Sequence, residues 1–252
     1  MNYETIELQL SPAERIATLA LNRTASRNAL NLRMCEELLD AATLIAANDD
    51  IRVVLVRGNG PVFCAGADLK ERQGMNADQV RERRQKGFAA YGAIERLPQP
   101  AIAIVHGSVV GSGCEIAAAC DFILAADDAT FRYPEVGWGT VGATQRLPRI
   151  VGIRMAKELL FTGRAVDAKE ARELRLVNRV LPRDELDAEA LKLARHIAAA
   201  PPVGMRLTKR CVDQGVETTR AGALELELAA IDENLARGTW QSAIADFGNQ
   251  KN

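Results

Sequence analysis

The chain has 252 residues, of which 48% are hydrophobic and 26% charged. That is ordinary for a soluble globular protein, and enough chain for one large domain with or without an appendage. A formal net charge of −1 gives no bias toward nucleic acid or an anionic membrane, and no apolar run reaches the roughly 18 residues that a membrane span needs. The five cysteines (Cys35, Cys64, Cys114, Cys120 and Cys211) form no CxxC and are odd in number. They read as free buried thiols of a reducing compartment, and the absence of a signal peptide adds to a cytoplasmic expectation. Two histidines without a thiol pair predict no transition-metal site.

In chain order, the acidic, alternating start from Met1 to Ser11 predicts a strand, and residues 3–10 and 15–21 form a hairpin. Asn28 to Asn48 is an amphipathic helix, with Leu30, Met34, Leu38 and Ala42 at helical spacing. Val53 to Gly58 is a strand, and Ala77 to Leu97 a helix that Pro98 and Pro100 stop. Ala101 to Gly107 is a strand apolar on both faces. Gly113 to Ala119 is a buried helix, and Phe122 to Ala125 and Thr130 to Tyr133 are strands. Alternating β and α segments predict an α/β fold. Beyond Pro201-Pro202 only helical patterns remain, Gly204 to Gly215 and Thr218 to Arg237. Residues 1–198 are therefore expected to be the core domain, and 199–252 a helical appendage suited to subunit contacts.

Two segments look built to hold a ligand's oxygen. In Val62-Phe63-Cys64-Ala65-Gly66-Ala67-Asp68-Leu69-Lys70, small residues after a strand let a ligand approach the backbone closely. In Gly111-Ser112-Gly113, a helix N-terminus offers unpaired N–H groups and a positive dipole end. Two such N–H groups aimed at one oxygen make an oxyanion hole. Either segment alone also fits a tight packing turn. Glu115, at the head of an apolar helix, is costly unless something uses it. Glu135 leaves a strand after Pro134 into a glycine-rich turn. Paired carboxylates of this kind can divide general acid and base work on one water.

Other motifs fail. Gly107-x-x-x-Gly111-x-Gly113 is not a dinucleotide fingerprint, and Val110 spoils a GxSxG frame around Ser112. His106, at a strand end, reads as structural. His196, on a late amphipathic helix, reads as surface or interface. Arg81, Arg83, Arg84 and Lys86 form either a solvated helix face or an attraction for a phosphate-bearing ligand.

Taken together, Leu21-Asn22-Arg23 with Asn28-Ala29-Leu30, Phe63 to Lys70, Gly111-Ser112-Gly113-Cys114-Glu115, Cys120-Asp121, Pro134-Glu135, Thr144 to Arg149 and Phe161-Thr162-Gly163-Arg164 resemble the crotonase, or enoyl-CoA hydratase/isomerase, family over nearly the whole chain. The resemblance implies a spiral of ββα units with a C-terminal helical oligomerisation region, assembled as a homotrimer or dimer of trimers. It implies an acyl-CoA thioester substrate, with coenzyme A as part of the substrate and no permanently bound cofactor. By the same likeness, Ala67 and Ser112 match the oxyanion donors, Glu115 and Glu135 the catalytic glutamates, and Ala65, Asp68 and Lys70 the CoA-binding positions. The expected reaction is hydration of a trans-2-enoyl-CoA. A Δ3–Δ2 enoyl-CoA isomerase, another crotonase-type reaction and a non-catalytic oligomeric binding protein are the alternatives.

The sequence departs from the family pattern in three places. Serine replaces the usual glycine at Ser112, so its side chain must point away from the ligand. The stretch from Glu135 to Thr144 is about three residues short of the usual form, with Tyr133 and Trp138 adding bulk nearby. The ending Phe247 to Asn252 lacks the family's basic tail.

Overall fold

The computed structural model describes residues 2–238, 240, 241 and 244; the unusual ending at 247–252 lies outside them. A larger sheet has strands β1 (Ile6–Ser11), β2 (Ile16–Leu21), β3 (Val53–Gly58), β4 (Ala101–Val105), β6 (Phe122–Ala126) and β9 (Arg179–Leu181), in the order β1-β2-β3-β4-β6-β9. The first pair is antiparallel and the other pairs are parallel. A smaller sheet has β5 (Ser108–Val110), β7 (Thr130–Arg132) and β8 (Ala165–Asp167), in the order β5-β7-β8. The helices are α1 (Leu32–Ala46), α2 (Ala77–Glu95), α3 (Ser112–Ala118), α4 (Arg146–Val151), α5 (Ile153–Thr162), α6 (Ala168–Glu173), α7 (Leu186–Ala199), α8 (Pro202–Gly215) and α9 (Arg220–Arg237).

The chain climbs as a spiral. Each turn gives a strand to the larger sheet, then a short extended piece, then a helix. In the turn of β3, Cys64 is the extended piece and bridges Val109 of the next turn in parallel; α2 follows. In the next turn β4 is followed by β5 and α3, and after that β6 by β7. The larger sheet is buried on both faces. Val54, Val56, Ala103 and Val105 pack with α1 and α3, while Val53, Leu55, Ile102 and Ile104 face Leu186, Ala190 and Ala194 of α7. The two-residue alternation of strands divides them this way. Burial of each such aliphatic side chain stabilises by about 1.5–3 kcal/mol, and this holds the strand ends that carry the site.

The helix expected over 28–48 begins later. Arg27 and Asn28 are left-handed, with φ of 53° and 54°, and Asn31 caps α1 by accepting from the Met34 N–H at 3.0 Å. The buried Asn28 amide instead donates to the carbonyls of Asn59, Val62 and Phe63. It pins the loop that leads to Cys64. Helix α8 begins with Pro202 in its first turn, where a missing N–H costs nothing.

Candidate active site

Three chain exits lie side by side because their strands pair in parallel. Cys64 pairs with Val109, and Val110 with Arg132. The residues that follow, 65–67, 111–112 and 133–135, therefore leave the small sheet at one edge. Glycine permits the crowding. Gly66 sits at φ +96°, and a Cβ on it would stand 3.1 Å from the Val110 carbonyl oxygen. A Cβ on Gly113 would stand 2.7 Å from the Cys64 carbonyl oxygen, closer than a side chain tolerates. The α3 N-terminus therefore presses directly on the loop before Ala67.

Ala65, Ala67, Ser112, Glu115 and Glu135 all line one cavity of about 280 Å³. Among the described residues, the N–H groups of Ala67 and Ser112 have no acceptor, as an oxyanion hole requires. The Ser112 hydroxyl lies beside the buried Tyr91 phenol. Trp138, 66% exposed, walls the cavity, whereas Tyr133 is buried beneath it and does not reach its surface.

Glu115 is only 7% exposed, and its Oε2 accepts from Arg146 Nη1 at 2.8 Å. The same guanidinium donates to Glu95 from Nε at 3.0 Å and Nη2 at 2.7 Å, and lies 5.9 Å from the centre of the Tyr91 ring. Burial pushes the Glu115 carboxyl above its usual range, and Arg146 opposes that shift. Glu135 is raised too, first by burial and then by the neighbouring Glu115 charge. Its Oε2 is shut off from solvent with no hydrogen-bond partner among the described residues. The two carboxylates therefore sit in unequal settings, one clamped by a cation and one not. Gly111 and Gly142 make room for Glu135: Cβ atoms there would stand 2.9 Å from its Oε1 and 2.9 Å from its Cγ.

Asp68 and Lys70 do not line the cavity. Asp68 pairs with Arg23 at 3.0 Å and accepts from the Lys70 and Glu71 N–H groups at 3.1 and 3.3 Å. Burial favours a raised carboxyl pKa there, but these partners outweigh it and hold the group low. Lys70 is exposed on the turn that Asp68 organises.

The basic run of α2 is mostly occupied. Arg83 is buried against Glu71 at 2.6 Å and the Leu30 carbonyl. Lys86 pairs with Glu36 at 2.7 Å. Arg84 crosses to Thr140 Oγ1 at 2.6 Å and to the Val141 carbonyl, and so latches the short loop after Glu135. His106 is buried and bonds the Gly60 carbonyl at 2.9 Å, a structural role; His196 is exposed on α7. Sequence reasoning missed Arg146, Glu95, Arg84 and Arg72. Only Arg146 and Arg84 stood in segments it singled out: Arg146 was given no part in the site, and Arg84 only a general attraction for a phosphate-bearing ligand. Among the described residues no group of side chains could hold a metal ion, and no helix is long and apolar enough to cross a membrane.

A spiral α/β fold whose parallel strand ends bring two backbone donors and two carboxylates to one cavity defines the crotonase class. The model of the enoyl-CoA hydratase/isomerase family matches residues 12–251. A crotonyl-CoA hydratase of Syntrophomonas wolfei is 40% identical over 236 residues, 91% of this chain and 89% of that protein. The crystal structure of an enoyl-CoA hydratase from Bacillus anthracis superimposes with a TM-score of 0.94 at 35% identity, covering 98% of this chain and 97% of that one. A Thermobifida fusca structure in complex with acetoacetyl-CoA superimposes with a TM-score of 0.84 at 30% identity, covering 92% and 95%. The chain belongs to the enoyl-CoA hydratase/isomerase family.

Proposed function

We propose that this protein hydrates a trans-2-enoyl-CoA, adding water across the 2,3 double bond. The observation that carries the reading is the convergence of Glu115, Glu135 and the unpaired N–H groups of Ala67 and Ser112 on one cavity. The thioester oxygen sits between the two N–H groups, which stabilise the enolate-like charge that grows as C3 is attacked. One such donor is worth about 3–4 kcal/mol of transition-state stabilisation.

The two glutamates hold one water. Glu115, whose carboxylate form Arg146 favours against the effect of burial, takes its proton. Glu135, raised by burial and without a cation clamp, delivers a proton to C2. Because both groups and the water are already positioned, little reorganisation remains at the moment of reaction. The CoA portion leaves the cavity past Ala65, over the turn shaped by Asp68 and carrying Lys70, and no further cofactor is needed. The working form is a homotrimer or a dimer of trimers built on the helices after residue 198, in a cytoplasmic setting.

The test is a panel of enoyl-CoA thioesters followed by loss of the conjugated thioester absorbance, with 3-enoyl-CoA thioesters alongside. Hydration faster than double-bond migration supports the reading. Migration without water addition makes the protein an isomerase instead.

A further inference from the structure

Arg72 stands apart from every other arginine on the wall of the catalytic cavity. Arg83 is held by Glu71 and Leu30, Arg84 by Thr140 and Val141, and Arg132 by the Gly163 carbonyl at 2.7 Å. The guanidinium of Arg72 has no hydrogen bond and no ion pair among the described residues. Its Nε–H is closed off from solvent. The nearest acid, Glu71, is already spent on Arg83 at 2.6 Å and on the Leu32 N–H at 2.8 Å. Burial, and then the charges of Arg83 and Arg84, act against the cation at this position and lower its pKa.

Arg72 is half-buried and its dry Nε–H has no acceptor among the described residues, which is costly for a group that cannot escape by giving up its proton. The cost is recovered if a ligand brings an anion, and a guanidinium fork suits a carboxylate. The anion has two possible sources in a CoA thioester, a phosphate of the nucleotide or a carboxylate on the acyl group. The cavity holds about 280 Å³, at the lower edge of small-molecule sites and matched to a short acyl group. Arg72 lines it together with Glu115, Glu135 and both oxyanion donors, so what meets Arg72 is the acyl end.

We propose that Arg72 recognises a carboxylate on the acyl group, and that the substrates are short enoyl thioesters bearing an acid function beyond the double bond. This rests on the hydratase reading only for the word enoyl; recognition of the carboxylate stands on the cavity wall alone. An uncharged chain would leave the guanidinium unpaired, so discrimination arises from the cost of an unmatched charge.

Binding of glutaryl-CoA and of pentanoyl-CoA, the same chain length with and without a terminal carboxylate, is measured by calorimetry on the intact protein. Wild type should prefer glutaryl-CoA by at least about tenfold, a modest yield for one charge-assisted contact. Arg72→Met, similar in length and uncharged, should cut that preference about tenfold, and Arg72→Lys should keep an intermediate one. Equal wild-type affinities would overturn the proposal, as would a preference for pentanoyl-CoA. It also fails if Arg72→Met weakens both ligands equally, since the guanidinium would then be serving the nucleotide or the fold. Should Arg72→Met not fold, the wild-type comparison and the lysine variant still decide. Turnover is read separately with crotonyl-CoA and its carboxylate-bearing analogue glutaconyl-CoA. A glutaryl preference without hydration of either substrate rejects the hydratase and keeps the recognition. Hydration with no carboxylate preference does the reverse.

Discussion

Arg146 donates to Glu115 Oε2 at 2.8 Å while its other nitrogens grip Glu95. The clamp has two consequences. It fixes the rotamer of a carboxylate on the first turn of α3, and it opposes the upward pull of burial on that carboxyl's pKa. Glu95 closes the far side of the guanidinium, so the cation is held in place against Glu115. Arg146→Gln should therefore lower kcat by about one to two orders of magnitude, with a smaller change in KM. Loss of the cation removes the opposing effect, so the acidic limb of the kcat–pH profile should move to higher pH. Arg146→Lys, which keeps the charge and loses the fork, should restore the limb more fully than the rate. An unmoved limb in Arg146→Gln would assign the residue a merely structural role.

Glu135 gives a stability prediction of the opposite sense to its catalytic one. Its folded-state pKa is raised, so the native state holds the proton more tightly than the unfolded chain. The associated stability is present below the unfolded carboxyl pKa and is lost as pH rises through the folded value. Above that value the buried charge is a standing cost. Glu135→Gln should raise Tm at pH 7–8, and the gain should shrink as pH falls toward the ordinary carboxylate range. Differential scanning calorimetry at several pH values checks this; a variant less stable than wild type at pH 8 would contradict it.

Ser112 tests whether the backbone donor or the side chain matters. Ser112→Ala keeps the N–H and should stay active within roughly threefold, whereas Ser112→Pro removes the donor and should cost at least about a hundredfold. Circular dichroism must first show that the proline variant is folded. A large loss in the alanine variant would show that the hydroxyl beside Tyr91 orients the substrate or Glu115.

Assembly is the fourth prediction. Leu224, Leu228, Ile231 and Leu235 are all exposed on α9, at spacings that set them along one face of the helix. Exposed apolar stripes of this kind mark contact surfaces, and copies of the same chain, meeting with closed symmetry, are the expected partner. Light scattering at micromolar concentration should give a trimer or hexamer, and Leu228→Asp should dissociate it. A monomeric wild type would contradict the expectation.

Much of this architecture was legible in residues whose burial leaves a pattern. Strand β3 and the two-faced β4 could be read directly, because parallel strands buried on both sides are continuous apolar runs. The start of α1 was misplaced because Asn28 fits a helical pattern by type, yet serves the neighbouring loop through its buried amide. Strands β8 and β9 were too short for any periodicity to register. At the site, Glu115, Glu135, Ala67 and Ser112 drew attention through local context, a charge in an apolar helix and glycines at turns. Arg146, Glu95 and Arg84 are ordinary helix residues, and their importance comes from partners 31 to 57 positions away. No local pattern encodes such pairings. Arg72 was invisible for a related reason: only the structure reveals that its neighbours' acids are already taken.

The most direct test of the central claim, that Glu115 and Glu135 together add water to an enoyl thioester, is the hydration rate of each glutamine variant with its preferred enoyl-CoA. Loss of the conjugated absorbance is followed at saturating substrate. Glu115→Gln and Glu135→Gln should each lower kcat by about two to four orders of magnitude with little change in KM. Near-wild-type turnover in either variant would remove that carboxylate from the mechanism and with it the two-glutamate account.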